Sequence, residues 1–361
     1  MNLRLDYRAL LLVVTVVTGA ACHADLDEWN GEHLDYYSSP SLVACTGTHE
    51  YVDRFVPFVA GELGVSAPTD LEYQWLDAEY FIRKYSGKHR GFARRRRAYS
   101  LDPFLLHEVV HTIGSSHGLN RWPFFTEGLA SAYDPWLGTG FGPRWVHTPI
   151  PEDPLPDPRS EMTWDAEDIF YGTAGSFVAF LLNRHGPAKF VAFVQDLPTS
   201  RNMDKLRERF RDVYGIELDD EAELFMVGAP CEEGSTPIRV YDCAMPEIPM
   251  QEDAWFYEKT MDCEDEDVVG GTGSEKVWRS VHGVTMTLPT DGQYALHLTT
   301  EDEDTFVQIG ACFGCPWEPR YAAVGAGNTA LVDLDAGPYY VRILSESDRA
   351  ADVQVLLAPE P

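Results

Sequence analysis

The stretch His107-Glu108-Val109-Val110-His111 decides more about the fold and chemistry of this chain than any other. Residues i and i+4 of an α-helix lie on one face about 6 Å apart, so both imidazoles can reach one metal ion at about 2.0–2.1 Å. Glu108 is rotated by about 100° from His107, which suits a general base that must contact a water without ligating the ion. The pattern predicts a zinc site with His107 and His111 as metal ligands and Glu108 as the base.

The surrounding residues favour a helix here. Its apolar surface would come from Phe104, Leu105, Val109, Val110 and Ile113. Ser100 and Asp102 are candidate N-caps, and Gly114 is a candidate helix end. A core helix with two hydrogen-bonded histidines is the alternative, and the pentapeptide alone does not separate the two interpretations.

Residues 1–22 have the pattern of an export signal. A short basic segment precedes an apolar run from Ala9 to Thr18 that is too short to span a membrane. Gly19-Ala20-Ala21 before Cys22 resembles a bacterial lipobox, although Gly19 stands where leucine is usual. Lipidation of Cys22 and ordinary cleavage nearby therefore both stay open. We expect an exported protein, extracellular or in the cell envelope, which a lipid on Cys22 would attach to the membrane.

The remaining cysteines agree with export. They are even in number, as expected for disulfide bonds in an oxidising compartment: Cys45, Cys231, Cys243, Cys263, Cys312 and Cys315. Six cysteines allow 15 pairings. Proximity within each domain predicts the pairs Cys45–Cys231, Cys243–Cys263 and Cys312–Cys315.

Charge and composition limit the partners. The chain has 361 residues with 44% hydrophobic residues, enough for two domains, and its net charge of −30 would repel nucleic acid phosphates. We therefore expect no nucleic acid partner, and nothing indicates the oligomeric state. The basic run from Arg94 to Arg97 is interpreted as a solvated loop paired with acidic neighbours; a subsite for acidic substrate residues and a processing site are the alternatives.

The pattern after residue 45 predicts an α+β domain. Apolar spacing predicts a helix over 48–63, alternation predicts a strand over 71–76, and further helices are expected near 166–185, 187–196, 202–213 and 218–227. Phe124 to Ser131 reads as a helix that carries Glu127, sixteen positions beyond His111. Gly128 and Ala130 are small, so this helix can approach a neighbour closely, as a third ligand from a separate helix requires.

These segments together resemble the gluzincin zinc metallopeptidases, the thermolysin and aminopeptidase N group. The resemblance rests on HEVVH, on FFTEGLAS and on Phe170 to Phe177, and it covers about residues 45–228. It implies that Glu127 is the third zinc ligand, that Tyr171 hydrogen-bonds the tetrahedral intermediate, and that Asp134 fixes the tautomer of a ligand histidine. The Gly-x-Met-Glu-Asn signature of aminopeptidases is absent before the zinc helix, so aminopeptidase specificity is not carried over.

The C-terminal region has a different sequence pattern, typical of β-strands. Four segments alternate like strands: Val284–Leu288, Tyr294–Leu298, Thr329–Asp333 and Tyr339–Ile343. We expect a zinc peptidase domain over 40–230 and a β-sandwich over 231–361. The predicted function is hydrolysis of peptide bonds in a peptide or protein substrate by a zinc-activated water, with Glu108 as general base and Tyr171 as oxyanion donor.

Two alternatives stay open. The same helix fits the metzincin signature, with His117 as third ligand in place of Glu127 and Ser160-Glu161-Met162 as a methionine turn. That assignment leaves the Glu127 helix and the Tyr171 segment unexplained. The other alternative is a non-catalytic surface protein that keeps a gluzincin fold for binding; a base beside two imidazoles argues against it.

Overall fold

The computed structural model describes residues 26–85, 90–134, 157–166, 168–198, 200–227, 239–251, 254–272, 280–312, 321–346 and 349–360. The expected export signal, Cys22 and the expected domain boundary at 231 lie outside these residues. The described helices are α1 Thr48–Leu63, α2 Ala78–Tyr85, α3 Leu106–Ser116, α4 Pro123–Tyr133, α5 Tyr171–His185, α6 Pro187–Gln195, α7 Met203–Tyr214 and α8 Leu218–Met226. No helix among the described residues is long and apolar enough to cross a membrane.

The strands of the described residues form three sheets. The first contains β1 Asp27–Trp29, β2 Leu34–Ser38, β4 Leu71–Trp75, β5 Gly91–Arg94 and β6 Arg97–Ser100, in the order β1-β2-β4-β6-β5. The second, in the order β13-β10-β15-β7, contains β7 Trp255–Met261, β10 Gly292–Thr300, β13 Thr329–Leu334 and β15 Ala351–Pro359. The third, in the order β12-β11-β14-β9-β8-β3, contains β3 Val43–Ala44, β8 Val269–Thr272, β9 Ser280–Leu288, β11 Thr305–Ala311, β12 Tyr321–Gly325 and β14 Gly337–Ser345. The predicted mixed α+β class is confirmed.

The first sheet supports the helix of the candidate site. β2, β4 and β6 run parallel, and the antiparallel strands β1 and β5 form its two edges. Val109, Val110 and Ile113 of α3 are fully buried in the same core as Tyr73 and Trp75 of β4. Burial of this apolar stripe holds α3 against the sheet.

The predicted start and end of α3 were wrong. Ser100 ends β6, and its hydroxyl accepts a hydrogen bond from the Asp102 backbone N–H at 2.8 Å. The Asp102 carboxylate pairs with Arg90. Neither side chain is therefore available as a cap, and α3 begins at Leu106 without a side-chain cap and continues past Gly114 to Ser116.

Most other predicted elements are observed. The helix over 48–63 has the predicted bounds, and all four C-terminal segments predicted as strands lie in strands. The helix expected from 166 instead begins at Tyr171, because Phe170 is extended and its backbone N–H is bound by the Glu161 carboxylate at 2.9 Å. The second and third sheets have a sandwich-like relation, since Leu296, Val355, Ile309 and Val341 from both sheets lie in one core.

The predicted disulfide pairs were wrong. Cys45 is bonded to Cys263, and Cys243 is bonded to Cys312, while Cys231 and Cys315 lie outside the described residues. Cys45–Cys263 bridges a sequence separation of 218. Proximity along the chain therefore did not decide the pairing, because the fold brings the start of α1 against the loop after β7.

The helical part and the C-terminal sheets share further contacts. The strand β3, which precedes α1, pairs with β8 at the edge of the third sheet. The Thr48 hydroxyl donates a hydrogen bond to the Gly270 carbonyl at 2.7 Å. Arg342 of β14 and Asp242 form a fully buried ion pair, and the Tyr51 hydroxyl of α1 donates to the same carboxylate at 3.4 Å. These contacts join the two parts through their backbones and buried charges.

Candidate metal centre

Three predicted ligands come together between two helices. α3 carries His107 and His111, one turn apart, and α4 brings Glu127 to the same point. The Nε2 atoms of the two histidines are 3.1 Å apart, and the Glu127 Oε2 atom lies 3.1 Å from His107 Nε2 and 3.2 Å from His111 Nε2. Among the described residues, these three side chains form the group of histidine, cysteine or carboxylate ligands that lie close enough together to hold one metal ion.

The geometry of these three atoms fits a tetrahedral metal. The near-equilateral triangle has edges close to the roughly 3.3 Å that separates ligands at bond lengths of about 2.0–2.1 Å. Two imidazole nitrogens and one carboxylate oxygen form a donor set that suits zinc. The two imidazole nitrogens and the carboxylate oxygen direct their lone pairs at one point, where few N–H or O–H protons are available to hydrogen-bond with them. A cation at that point would interact with all three lone pairs.

The helix that carries Glu127, α4, packs closely on α5. Gly128, the next residue of α4, packs against α5: a Cβ on it would lie 2.6 Å from both the Ala174 carbonyl oxygen and the Val178 Cγ2 atom. A larger residue would push the helices apart. The small residue predicted from the sequence is therefore used for close packing, and this packing brings Glu127 and the start of α5 to one cleft.

Glu108 borders the metal-binding triangle without belonging to it. Gly91 of β5 lies against it, because a Cβ on Gly91 would be 3.0 Å from Glu108 Cγ and 2.5 Å from Leu105 Cδ2. Burial raises the pKa of Glu108 to about 7, and the charges of Glu127 and Asp134 add to that rise. A carboxylate with this environment can accept and return a proton near neutral pH.

Tyr171 is the first residue of α5 and faces the same cleft. Its ring centre lies 5.5 Å from that of His107. Burial and the nearby Glu127 and Glu108 carboxylates raise the Tyr171 pKa to about 12. The hydroxyl therefore keeps its proton at neutral pH and can act as a hydrogen-bond donor.

The ligand groups affect one another's charge. Burial would raise the pKa of Glu127, but His111 and His107 hold it well below its usual range. Burial lowers the pKa of His107, whereas the Glu127 charge outweighs burial and raises the pKa of His111. A deprotonated Glu127 and an unprotonated His107 are the forms that can bind a metal ion.

His117 lies elsewhere. Its Nε2 atom is bound to the Ser66 carbonyl oxygen at 2.8 Å, just after the end of α3, and it is not part of the triangle. The described structure thus brings Glu127, and not His117, to the two histidines. Met162, of the alternative methionine turn, is buried in the core.

The expected role of Asp134 is not observed for His107. Asp134 is buried at the end of α4, close enough to raise the pKa of Glu108. The buried His107 Nδ1 atom has no hydrogen-bond partner among the described residues, so Asp134 does not fix this ring.

The structure also shows a cleft that the sequence did not reveal. Its volume is about 270 Å³, and beside the predicted residues it is lined by Gly91, Phe92, Ala93, Asn120, Thr126 and Ala166.

The arginine run is not a loop but the end of a β-hairpin, with Arg95 and Arg96 in the turn. Phe92 and Tyr99 alternate with small residues and stack at 4.7 Å, a pattern that could have indicated two short strands.

Comparisons with known proteins give no family. No protein-family model matches this chain, and no curated protein matches it. The pre-peptidase C-terminal domain of collagenase from Bacillus anthracis is 8% identical and covers 31% of this chain and 93% of its own, at a TM-score of 0.23. The Salmonella Typhimurium PliG inhibitor of g-type lysozyme is 11% identical and covers 32% of this chain and 99% of its own, at 0.19. Legionella pneumophila aminopeptidase A is 9% identical and covers 90% of this chain and 36% of its own, at 0.33. All three likenesses are too weak to bear on function.

Proposed function

We propose that this protein is an exported zinc-dependent peptidase of the gluzincin type, with a C-terminal β-sandwich. The observation that carries the proposal is the convergence of His107, His111 and Glu127 to within 3.2 Å of one another, beside Glu108 and Tyr171 in one cleft. Disulfide bonds Cys45–Cys263 and Cys243–Cys312 support export, since such bonds persist in oxidising compartments.

Each side chain has a distinct task in this proposal. His107, His111 and Glu127 would hold the metal, which when bound supplies a Lewis acid that polarises the scissile carbonyl and acidifies a water. Glu108 accepts a proton from the attacking water and delivers it to the leaving amine nitrogen. The Tyr171 hydroxyl donates a hydrogen bond to the oxyanion, which is the scissile carbonyl oxygen once it carries negative charge.

The metzincin and binding-protein alternatives have less support. The His117 ring is occupied by the Ser66 carbonyl, and Glu127 stands where a third ligand is required. A protein that only binds has no need of a buried carboxylate beside two such histidines.

Digestion of a peptide library by the purified chain tests the proposal. We expect cleavage that a chelator such as 1,10-phenanthroline abolishes and that added zinc restores, because the three ligands hold the metal reversibly. Mass spectrometry of the products measures cleavage. Products that persist after metal content has fallen to background would contradict a zinc mechanism, and no cleavage by the zinc-loaded chain would contradict the peptidase assignment.

Tyr171→Phe is expected to lower kcat by about 10²–10³-fold, the usual effect of losing one oxyanion donor. The phenylalanine ring keeps the packing against His107 but cannot donate a hydrogen bond. Steady-state hydrolysis of one library peptide provides the measurement. Tyr37→Phe is the matched control, since Tyr37 lies on β2, three strands from β5. A kcat for Tyr171→Phe equal to that of the control would remove Tyr171 from the mechanism.

A further inference from the structure

The edge of the first sheet lies open beside the candidate site. Among the described residues β5 pairs with β6 alone, and its residues 91–93 line the cleft. The Leu101 N–H donates to the Arg90 carbonyl at 2.8 Å, so residues 90, 92 and 94 direct their backbone groups toward β6. By the alternation of an antiparallel ladder, Gly91 and Ala93 direct theirs toward the open side, where an extended peptide can hydrogen-bond to them.

The far end of this edge carries a positive charge. Four exposed arginines, Arg94 to Arg97, lie in and beside the hairpin turn that follows β5, in a chain with a net charge of −30. Arg96 pairs with Asp70, and Arg97 pairs with Glu72. Neither Arg94 nor Arg95 has a carboxylate within ion-pair distance in the part of the chain that the structure describes. Their charge is therefore available to a bound molecule.

The spacing along β5 relates this charge to the reacting centre. Gly91 packs on Glu108, and Arg94 follows three residues later, about 10 Å along the strand at about 3.3 Å per residue. A peptide extended along the open edge advances by the same distance per residue. The peptide residue opposite Arg94 thus lies about three residues from the scissile bond, which is the peptide bond next to Glu108. Arg95 follows Arg94 directly in the chain.

We propose that Arg94 and Arg95 select substrates with an acidic side chain about three residues from the scissile bond. The proposal rests on the peptidase function, and it favours the alternative of a subsite for acidic substrate residues over the interpretation of this arginine run as a solvated loop paired with acidic neighbours. An aspartate or glutamate there exchanges its solvent contacts for two guanidinium partners, whereas a lysine is repelled. An exposed ion pair changes affinity by about 1.4- to fivefold, so two arginines produce a preference of roughly two- to twenty-five-fold.

A series of decapeptides, each with a single aspartate at a different position, tests the proposal. Each peptide is compared with a matched peptide that has asparagine at the same position. Affinity is measured by fluorescence anisotropy in the zinc-loaded Glu108→Gln variant, so binding does not depend on turnover. Cleavage by the wild-type chain is measured separately. We expect tighter binding of aspartate peptides at one position about three residues from the cleavage point, and loss of that preference in Arg94→Gln/Arg95→Gln.

A control removes the same charge elsewhere. Arg54→Gln/Arg211→Gln alters exposed arginines of α1 and α7, which pair with Glu50 and Glu217. We expect this variant to keep the aspartate preference. Equal binding of aspartate and asparagine peptides at every position would overturn the proposal, as would an equal loss of preference in the control. Selective binding without any cleavage would contradict the peptidase function and leave the arginine site supported.

Discussion

Glu108→Gln is expected to retain zinc and to lower kcat by about 10²–10⁴-fold. Glutamine keeps the shape that packs against Gly91, but its amide cannot accept the proton of the attacking water. Because Glu108 lies outside the triangle of His107, His111 and Glu127, the proposed metal ligands are unchanged. Hydrolysis of a library peptide and zinc content after dialysis provide the two measurements.

The control for this variant is Glu258→Gln. Glu258 lies on β7, where its carboxylate accepts a hydrogen bond from Gln354 at 2.7 Å, far along the chain from the site. We expect its kcat to match the wild type. A Glu108→Gln chain with full zinc and near-native kcat would show that another group accepts the proton, and the proposed mechanism would fail.

Glu127→Ala is expected to release zinc, and His117→Ala is expected to keep it. Loss of a true ligand lowers zinc affinity by far more than the about 10–100-fold that follows removal of a group hydrogen-bonded to a ligand. Glu127 Oε2 lies within 3.2 Å of both histidine Nε2 atoms, whereas His117 is bound to the Ser66 carbonyl. Zinc affinity is measured by competition with a chromophoric chelator.

The two alanine variants are controls for each other, because each removes one candidate third ligand. Circular dichroism confirms that both are folded, so metal loss is not confused with unfolding. The reverse pattern, with zinc lost from His117→Ala and kept by Glu127→Ala, would identify His117 as the ligand and move the protein to the metzincin class. Zinc retained at wild-type affinity by both would place the metal elsewhere.

Local spacing was enough to predict a good part of this protein. The i, i+4 separation of His107 and His111 is a property of any helix that contains them, and the apolar residues of 48–63 and of the C-terminal strands have the periods of their elements. Glu127 could be named because the helix that carries it has a recognisable sequence with a small residue, Gly128, beside the carboxylate. Such features depend on neighbours a few residues apart.

Features that depend on distant residues could not be predicted in the same way. The disulfide Cys45–Cys263 joins residues 218 positions apart. The strand β3 belongs to a sheet whose other strands all come from the chain after residue 268. The start of α3 also depended on distant groups, since Arg90 takes the Asp102 carboxylate that the sequence offered as a cap. Each of these pairings has several chemically equivalent partners in the sequence, and only packing selects one.

The sequence by itself determined which side chains could bind a metal and move a proton, because their spacing on a helix follows from backbone geometry. Only the tertiary structure decided that Glu127, and not His117, meets the two histidines, because that meeting requires α4 to lie beside α3. Only the tertiary structure placed the open edge of β5 beside Glu108, with the arginine turn about three residues farther along the strand, because a strand acquires its neighbours from the whole sheet.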